Sequence, residues 1–184
     1  MTKKKEGFAP FQHDNPNLSR PWALPGTPGM EHRVGGLEKW EETGHVSYDP
    51  ENHQKMVELR QQKVDVIAND IPPAKPFGKG NGDLLVIGWG GTHGALRSAV
   101  ETAQENGMSV SHLHLRHLNP LPRNLGEILV KFQKVMIAEL NMGQLAAIIR
   151  SKFLVDAVSL NKIQGKPFTI TEVFNKITEL VKGA

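Results

Sequence analysis

Asp83-Leu84-Leu85-Val86-Ile87-Gly88-Trp89-Gly90-Gly91-Thr92 is the stretch whose reading decides the fold. Leu84–Ile87 is an unbroken apolar run, which suits a strand buried on both faces. Gly88 ends the run, Gly88–Gly91 makes a turn, and Thr92 is placed to cap a helix through about Asn106, closed by Gly107. The alternation then repeats downstream. Val110–Leu118 reads as a second strand ended by Pro120 and Pro122, Asn124–Phe132 as a helix, and Lys134–Leu140 as a third strand. A helix from Asn141 or Met142 runs through Phe153, and Ala157–Ile163 is a fourth strand. Thr169, Thr171 and Glu172 open a last helix to Val181. The order β-α-β-α-β-α-β-α predicts an α/β fold, an open and mostly parallel sheet with helices on both faces in three layers.

Upstream the chain is of another kind. Residues 1–82 carry nine of the twelve prolines, with 11 basic and 11 acidic side chains. Residues 83–184 carry 11 basic and 8 acidic side chains, so the whole positive excess lies there. Prolines 10, 16, 21, 25 and 28 and glycines 7, 26, 29, 35 and 36 interrupt any period up to about Thr43. Asp49-Pro50-Glu51 is a helix start, with Asp49 as N-cap and Pro50 at the first helical position. Met56, Leu59, Lys63 and Val66–Ile67 follow at helical spacing to about Asn69. One helix cannot bury such a stripe by itself, so it is expected to dock on the second region or on a partner. Ile71–Asp83, with Pro72, Pro73, Pro76 and three glycines, reads as a linker. The expected organisation is therefore 1–70 as an irregular segment plus one helix, 71–82 as a linker and 83–184 as the α/β domain.

Composition excludes several functions. The 184 residues include no cysteine, so the chain offers no disulfide, no thiolate metal site, no iron–sulfur ligand and no Cys nucleophile. Apolar runs are too short to span a bilayer. Lys3-Lys4-Lys5 is followed by Glu6, Gly7 and polar residues, which is not a signal peptide pattern. A net charge of +3 with few aromatics near Arg123, Lys131, Lys134, Arg150 and Lys152 does not make a nucleic-acid groove. A soluble, cytoplasmic protein without membrane or nucleic-acid partner is the expectation.

Three motifs invite chemistry. Gly88-x-Gly90-Gly91-x-x-Gly94, between a strand and a helix, occupies the place where a Rossmann-like domain holds a pyrophosphate on backbone N–H groups. The usual spacing wants glycine where His93 stands, and Val110–His117 offers no acid for a ribose. Arg116 leaves an NADP reading open, but a tight strand–helix turn is preferred, its glycines letting the helix approach the sheet. His112 and His114 share a strand face with Arg116, while His117 faces away. Arg116 repels a metal there and no third ligand is placed, so a polar sheet edge with Leu113 and Leu115 toward the core is preferred. Glu139, followed by Asn141, lies at the carboxyl end of the third strand, where open parallel sheets bind ligands. It could serve as a base, cap the helix beginning near Gly143 or pair with a basic group. No Ser-His-Asp set and no phosphate loop ending in Gly-Lys-Ser/Thr is found.

Longer wording is more specific. Pro25-Gly26-Thr27-Pro28-Gly29-Met30-Glu31-His32-Arg33, Gly35-Gly36-Leu37-Glu38 and Thr43-Gly44-His45-Val46-Ser47-x-Asp49-Pro50-Glu51-Asn52-His53 closely resemble the alpha subunit of 2-oxoacid:ferredoxin oxidoreductases, in particular the 2-oxoglutarate type. Gly88-Trp89-Gly90-Gly91-Thr92-x-Gly94-Ala95 and His117-Leu118-Asn119-Pro120-Leu121-Pro122 continue the match, which runs from about Trp22 to the end. The resemblance implies that 83–184 is similar to a transketolase C-terminal domain and that 1–70 is the tail of a pyrimidine-binding domain. It implies a parent enzyme using thiamine diphosphate, magnesium, CoA and iron–sulfur clusters, with a beta subunit, other subunits and ferredoxin as partners. A second copy of the chain stays open as a further partner. The chain covers only the C-terminal portion of that pattern, so Met1 is expected to be an artificial or split-gene start. It is expected to bind none of these cofactors and to be inactive alone. None of the family's catalytic residues can be placed on it. Gly90, Gly91 and Thr92 are its weak cofactor-binding candidates, and a free-standing nucleotide-binding domain using Gly88–Gly94 is the alternative.

Overall fold

Leu84–Ile87 form the centre of a strand, β1 (Gly82–Trp89), in a computed structural model that describes residues 6–13 and 16–183. The readings placed on Met1 and Lys3–Lys5 lie outside the described residues. Three further strands follow: β2 (Val110–Leu115), β3 (Phe132–Glu139) and β4 (Ala157–Asn161). Their order is β2-β1-β3-β4 and every neighbouring pair is parallel. Five helices accompany them: α1 (Pro50–Val66), α2 (His93–Glu105), α3 (Leu125–Leu129), α4 (Gln144–Phe153) and α5 (Ile170–Lys182).

The three expected layers are present. Successive side chains of a strand point to opposite faces, so β1 supplies both cores. Leu84 and Val86 pack with Leu96, Val100 and Ala103 of α2 and with Val173 and Ile177 of α5. Leu85 and Ile87 pack with Leu125 and Leu129 of α3 and with Leu145 and Ile149 of α4. Leu84–Ile87 are wholly buried, which explains their unbroken apolar run.

The two edge strands end earlier than the sequence expectation because an edge strand stops where its partner stops. Trp89, the last residue of β1, pairs with Leu115, so β2 ends there and not at Leu118. Glu139 pairs with Asn161, so β4 ends there and not at Ile163. Phe132, expected in a helix, begins β3 opposite Gly82. The Lys131 N–H closes α3 on the Ile128 carbonyl just before it. α5 begins as expected: the Thr169 hydroxyl oxygen accepts from the Glu172 N–H and the Glu172 carboxylate accepts from the Thr169 N–H.

The chain divides into two compact units, 1–70 and 71–184. Residues 71–82, expected as a linker, bond to α3 and to the sheet within the second unit. The Ala74 N–H donates to Asn124 Oδ1 at 2.9 Å, and Asn124 Nδ2 returns a bond to the Ala74 carbonyl at 2.9 Å. Phe77 exchanges backbone bonds of 2.7 and 3.0 Å with His112, shielding the outer edge of β2.

In the first unit α1 has the expected cap, with Asp49 Oδ1 accepting from the Asn52 N–H at 2.7 Å. Its partner lies within its own unit. Met56 and Asn52 are buried, and Asn52 Nδ2 donates to the Lys39 carbonyl at 3.1 Å. Arg60 donates to both oxygens of Glu38 at 3.2 and 3.1 Å. That guanidinium, helped by His53, holds the Glu38 carboxyl at about 2. The stripe is only partly used: Ile67 remains half exposed.

Among the described residues, 6–13 and 16–49 show few regular backbone bonds. They include turn bonds and a short pairing in which Trp40, Gly44 and Ser47 donate to His45, Trp40 and Glu38 carbonyls at 2.9 Å. Hydrogen exchange by mass spectrometry should therefore show fast exchange through most of 6–13 and 16–39, slower exchange at Trp40–Ser47 and the slowest at Leu84–Ile87. Equal protection of 16–37 and Leu84–Ile87 would contradict this.

Candidate functional site

In a sheet of order β2-β1-β3-β4 the strand order reverses between β1 and β3, and the crevice beyond their carboxyl ends is where such folds hold ligands. Trp89 ends β1 there and Glu139 ends β3. Glu139 is fully buried and its carboxylate is engaged on all sides. Oε1 accepts from the Ala146 N–H at 2.9 Å. Oε2 accepts from the Leu145 N–H at 2.9 Å, Asn141 Nδ2 at 3.0 Å and Trp89 Nε1 at 3.3 Å. Asn141 Oδ1 in turn accepts from the Gly143 N–H at 2.7 Å, and Gly143 has φ of 95°. An internal carboxylate thus occupies the anion place at the α4 N-terminus. Of the roles open to Glu139, capping of α4 is the one seen.

The glycine turn divides its labour. A Cβ on Gly88 would lie 2.2 Å from Leu96 Cδ1 and 2.5 Å from Thr92 Oγ1, so this glycine lets α2 approach β1. Gly90 makes the turn, with φ of 58°. Gly91 and Gly94 face open space. Thr92 does not cap α2 through its side chain. It is buried, and its hydroxyl donates to the Trp89 carbonyl at 2.9 Å.

The histidines gather differently from the sequence reading. His112 and His114 share a face, as expected, and the third ring is His93, the first residue of α2. Ring centroids are 5.5 Å apart for His93 and His112, 4.9 Å for His93 and His114, and 6.0 Å for His112 and His114. Arg116 and His117 are exposed. Burial, then the neighbouring His93 and His114 and the Arg97 charge, push His112 down to about 3, and His114 is lowered chiefly by burial. Both rings are neutral near pH 7. His112 Nε2 and His114 Nδ1 are buried and have no hydrogen-bond partner. Among the described residues no group of three or more His, Asp or Glu is arranged to hold a metal ion, and no helix is long and apolar enough to cross a membrane.

Fold and site define a parallel α/β domain whose switch-point crevice is sealed by its own carboxylate. The family model for the pyruvate:ferredoxin oxidoreductase core domain II matches residues 82–173, half of the chain, and the chain belongs to that family. It is 45% identical, over its full length, to the 2-oxoglutarate oxidoreductase subunit KorA of Mycobacterium tuberculosis, of which it spans 28%. It is 30% identical to the alpha subunit of 2-oxoacid:ferredoxin oxidoreductase 1 of Aeropyrum pernix, over 95% of the chain and 28% of that protein. A solved 2-oxoglutarate:ferredoxin oxidoreductase from Magnetococcus marinus, with 2-oxoglutarate, coenzyme A and succinyl-CoA bound, superposes with a TM-score of 0.84 at 30% identity. That match covers 93% of this chain and 30% of the solved one. The chain therefore spans less than a third of the length of these relatives.

Proposed function

We propose that the chain is the C-terminal structural and assembly portion of an alpha subunit in a thiamine-diphosphate-dependent 2-oxoacid:ferredoxin oxidoreductase of the 2-oxoglutarate type. That enzyme would oxidatively decarboxylate the 2-oxoacid to acyl-CoA and pass the electrons through iron–sulfur clusters to ferredoxin, in the cytoplasm. The carrying observation is the 45% identity along the whole chain to a 2-oxoglutarate oxidoreductase subunit. The residues present do not fit the thiamine diphosphate–magnesium site or the clusters. No cysteine exists to ligate iron, and the carboxylate at the switch point is consumed by α4 and Trp89. Those groups are assigned to the beta subunit and other parts of the assembly. Identity along the whole chain to an oxidoreductase subunit does not favour the free-standing nucleotide-binding alternative.

Affinity purification of the tagged chain from its own cells tests the reading. The recovered assembly should contain a thiamine-diphosphate-binding subunit and reduce a viologen dye when given 2-oxoglutarate, CoA and thiamine diphosphate. The purified chain alone should show no turnover. Turnover by the chain alone would overturn the assignment of chemistry to other subunits, and an assembly that oxidises no 2-oxoacid would overturn the enzyme class.

A further inference from the structure

We propose that the first turn of α2 and the imidazoles of His93, His112 and His114 form a binding site for a phosphate group. This inference stands on geometry and goes beyond the reading above without requiring it. A short 3-10 turn, Gly90–Thr92, leads directly into α2. Thr92, its N-cap, spends its hydroxyl as a donor to the Trp89 carbonyl, and no acidic residue stands in the first turn. The other long helices have their N-terminal charge answered: α1 by Asp49 and Glu51, α4 by Glu139, and α5 by Thr169 and Glu172. The first-turn N–H groups of a 13-residue helix carry a partial positive charge suited to an oxyanion.

The second observation is independent of the helix. His112 is 2% exposed and its Nε2 has no partner, as has His114 Nδ1. Buried polar atoms are rarely left unpaired, and two on one cluster ask for an explanation. A neutral imidazole can present an N–H at either nitrogen, so both can donate to phosphate oxygens. The rings lie against His93, the residue that begins α2, and His93 is exposed, so the cluster reaches the surface there. A Cβ on Gly90, Gly91 or Gly94 would meet nothing, so the approach along the turn is unobstructed.

Charge selects the ligand. The ions acting on the two buried rings are Arg97 from α2 and Arg116 beyond β2, both cations. Arg97 also pairs with Glu101 at 2.8 Å and lies over the Phe77 ring, which turns that carboxylate's charge onto the guanidinium. Two arginines and a helix N-terminus repel a metal cation and attract a dianion. The position is distinct from the crevice filled by Glu139: it lies over β2, on the other side of β1.

The phosphate can be free or carried as an ester on a nucleotide-type cofactor, and two probes separate these sources. The full chain, labelled with ¹⁵N, is titrated at about pH 6.5 with inorganic phosphate and with adenosine 3′,5′-bisphosphate. Both should saturably shift the ring resonances of His93, His112 and His114 and the Gly94 and Ala95 amides. Tighter binding of the bisphosphate by about tenfold or more assigns the site to an ester, and equal binding to the free anion. His93→Ala, at an exposed position, should keep the thermal melt and weaken binding at least about tenfold. No saturable shift up to about 20 mM of either probe, undiminished binding by His93→Ala, or saturation of the same rings by Zn²⁺ in place of phosphate would each overturn the proposal.

Discussion

Glu139→Leu should cost the second unit about 3–5 kcal/mol of stability in urea unfolding. Leucine fills the space but accepts nothing, so the Leu145 and Ala146 N–H groups, Asn141 Nδ2 and Trp89 Nε1 lose their shared acceptor. The two backbone donors are buried with their bonds. Each buried donor left without a partner costs about 1–3 kcal/mol, and the lost charge at a helix N-terminus adds about 0.3–1 kcal/mol. Glu139→Gln keeps one oxygen and turns the other position into a donor facing donors, so it should lose about half as much. The indole of Trp89 reports the change directly, since its fluorescence should shift when its hydrogen bond is gone. A loss under about 1 kcal/mol for Glu139→Leu would mean that other acceptors reach these donors.

Gly88→Ala should be the more damaging of two similar substitutions in the turn. The new methyl would fall 2.2 Å from Leu96 Cδ1, and Leu96 is fully buried, so neither side chain has room to withdraw. Overpacking of this kind costs about 1–3 kcal/mol, and the value expected here is at the upper end. Gly90→Ala meets no atom and is penalised only for its φ of 58°, about 1 kcal/mol. Paired thermal melts decide the matter: Gly88→Ala must melt lower than Gly90→Ala. The reverse order would show that the turn, and not the approach of α2 to β1, is what glycine serves in this segment.

The order of strands and helices from Asp83 onward was legible because each element carries its own period and its own stop signal. Leu84–Ile87 reads as doubly buried, and Thr169 with Glu172 reads as a capping box, from neighbours alone. What could not be read is whatever depends on a residue far along the chain. β2 and β4 end early because Trp89 and Glu139 end their partners. Glu139 was visible at a strand end, but Trp89, 50 residues away, was not visible as its donor. His93 read only as a departure from a glycine pattern; the sheet order is what sets it above His112 and His114. Thr92 looks like a cap by residue type, and its hydroxyl instead turns back to the strand. In the first unit the absence of periodicity was informative, while the internal docking of α1 through Asn52 and Arg60 rests on tertiary pairs.

The strand register sets how much chain must be looped to close the sheet. Val86 and His112, paired across β1 and β2, are 26 residues apart, and Met136 and Val158, across β3 and β4, are 22 apart. The central pair Val86 and Met136 is 50 residues apart. Closure entropy grows only with the logarithm of loop length, and a doubling costs about 0.6 kcal/mol. Joining the two flanking pairs through the middle of the sheet is therefore nearly as cheap as forming either flank. The same logarithm makes the β2-to-β3 crossover forgiving: about ten extra residues at exposed Asn119 would raise the closure cost by only about 0.2 kcal/mol. Length in that crossover is nearly free, so any variation in it is limited by what the added residues touch rather than by the chain they add.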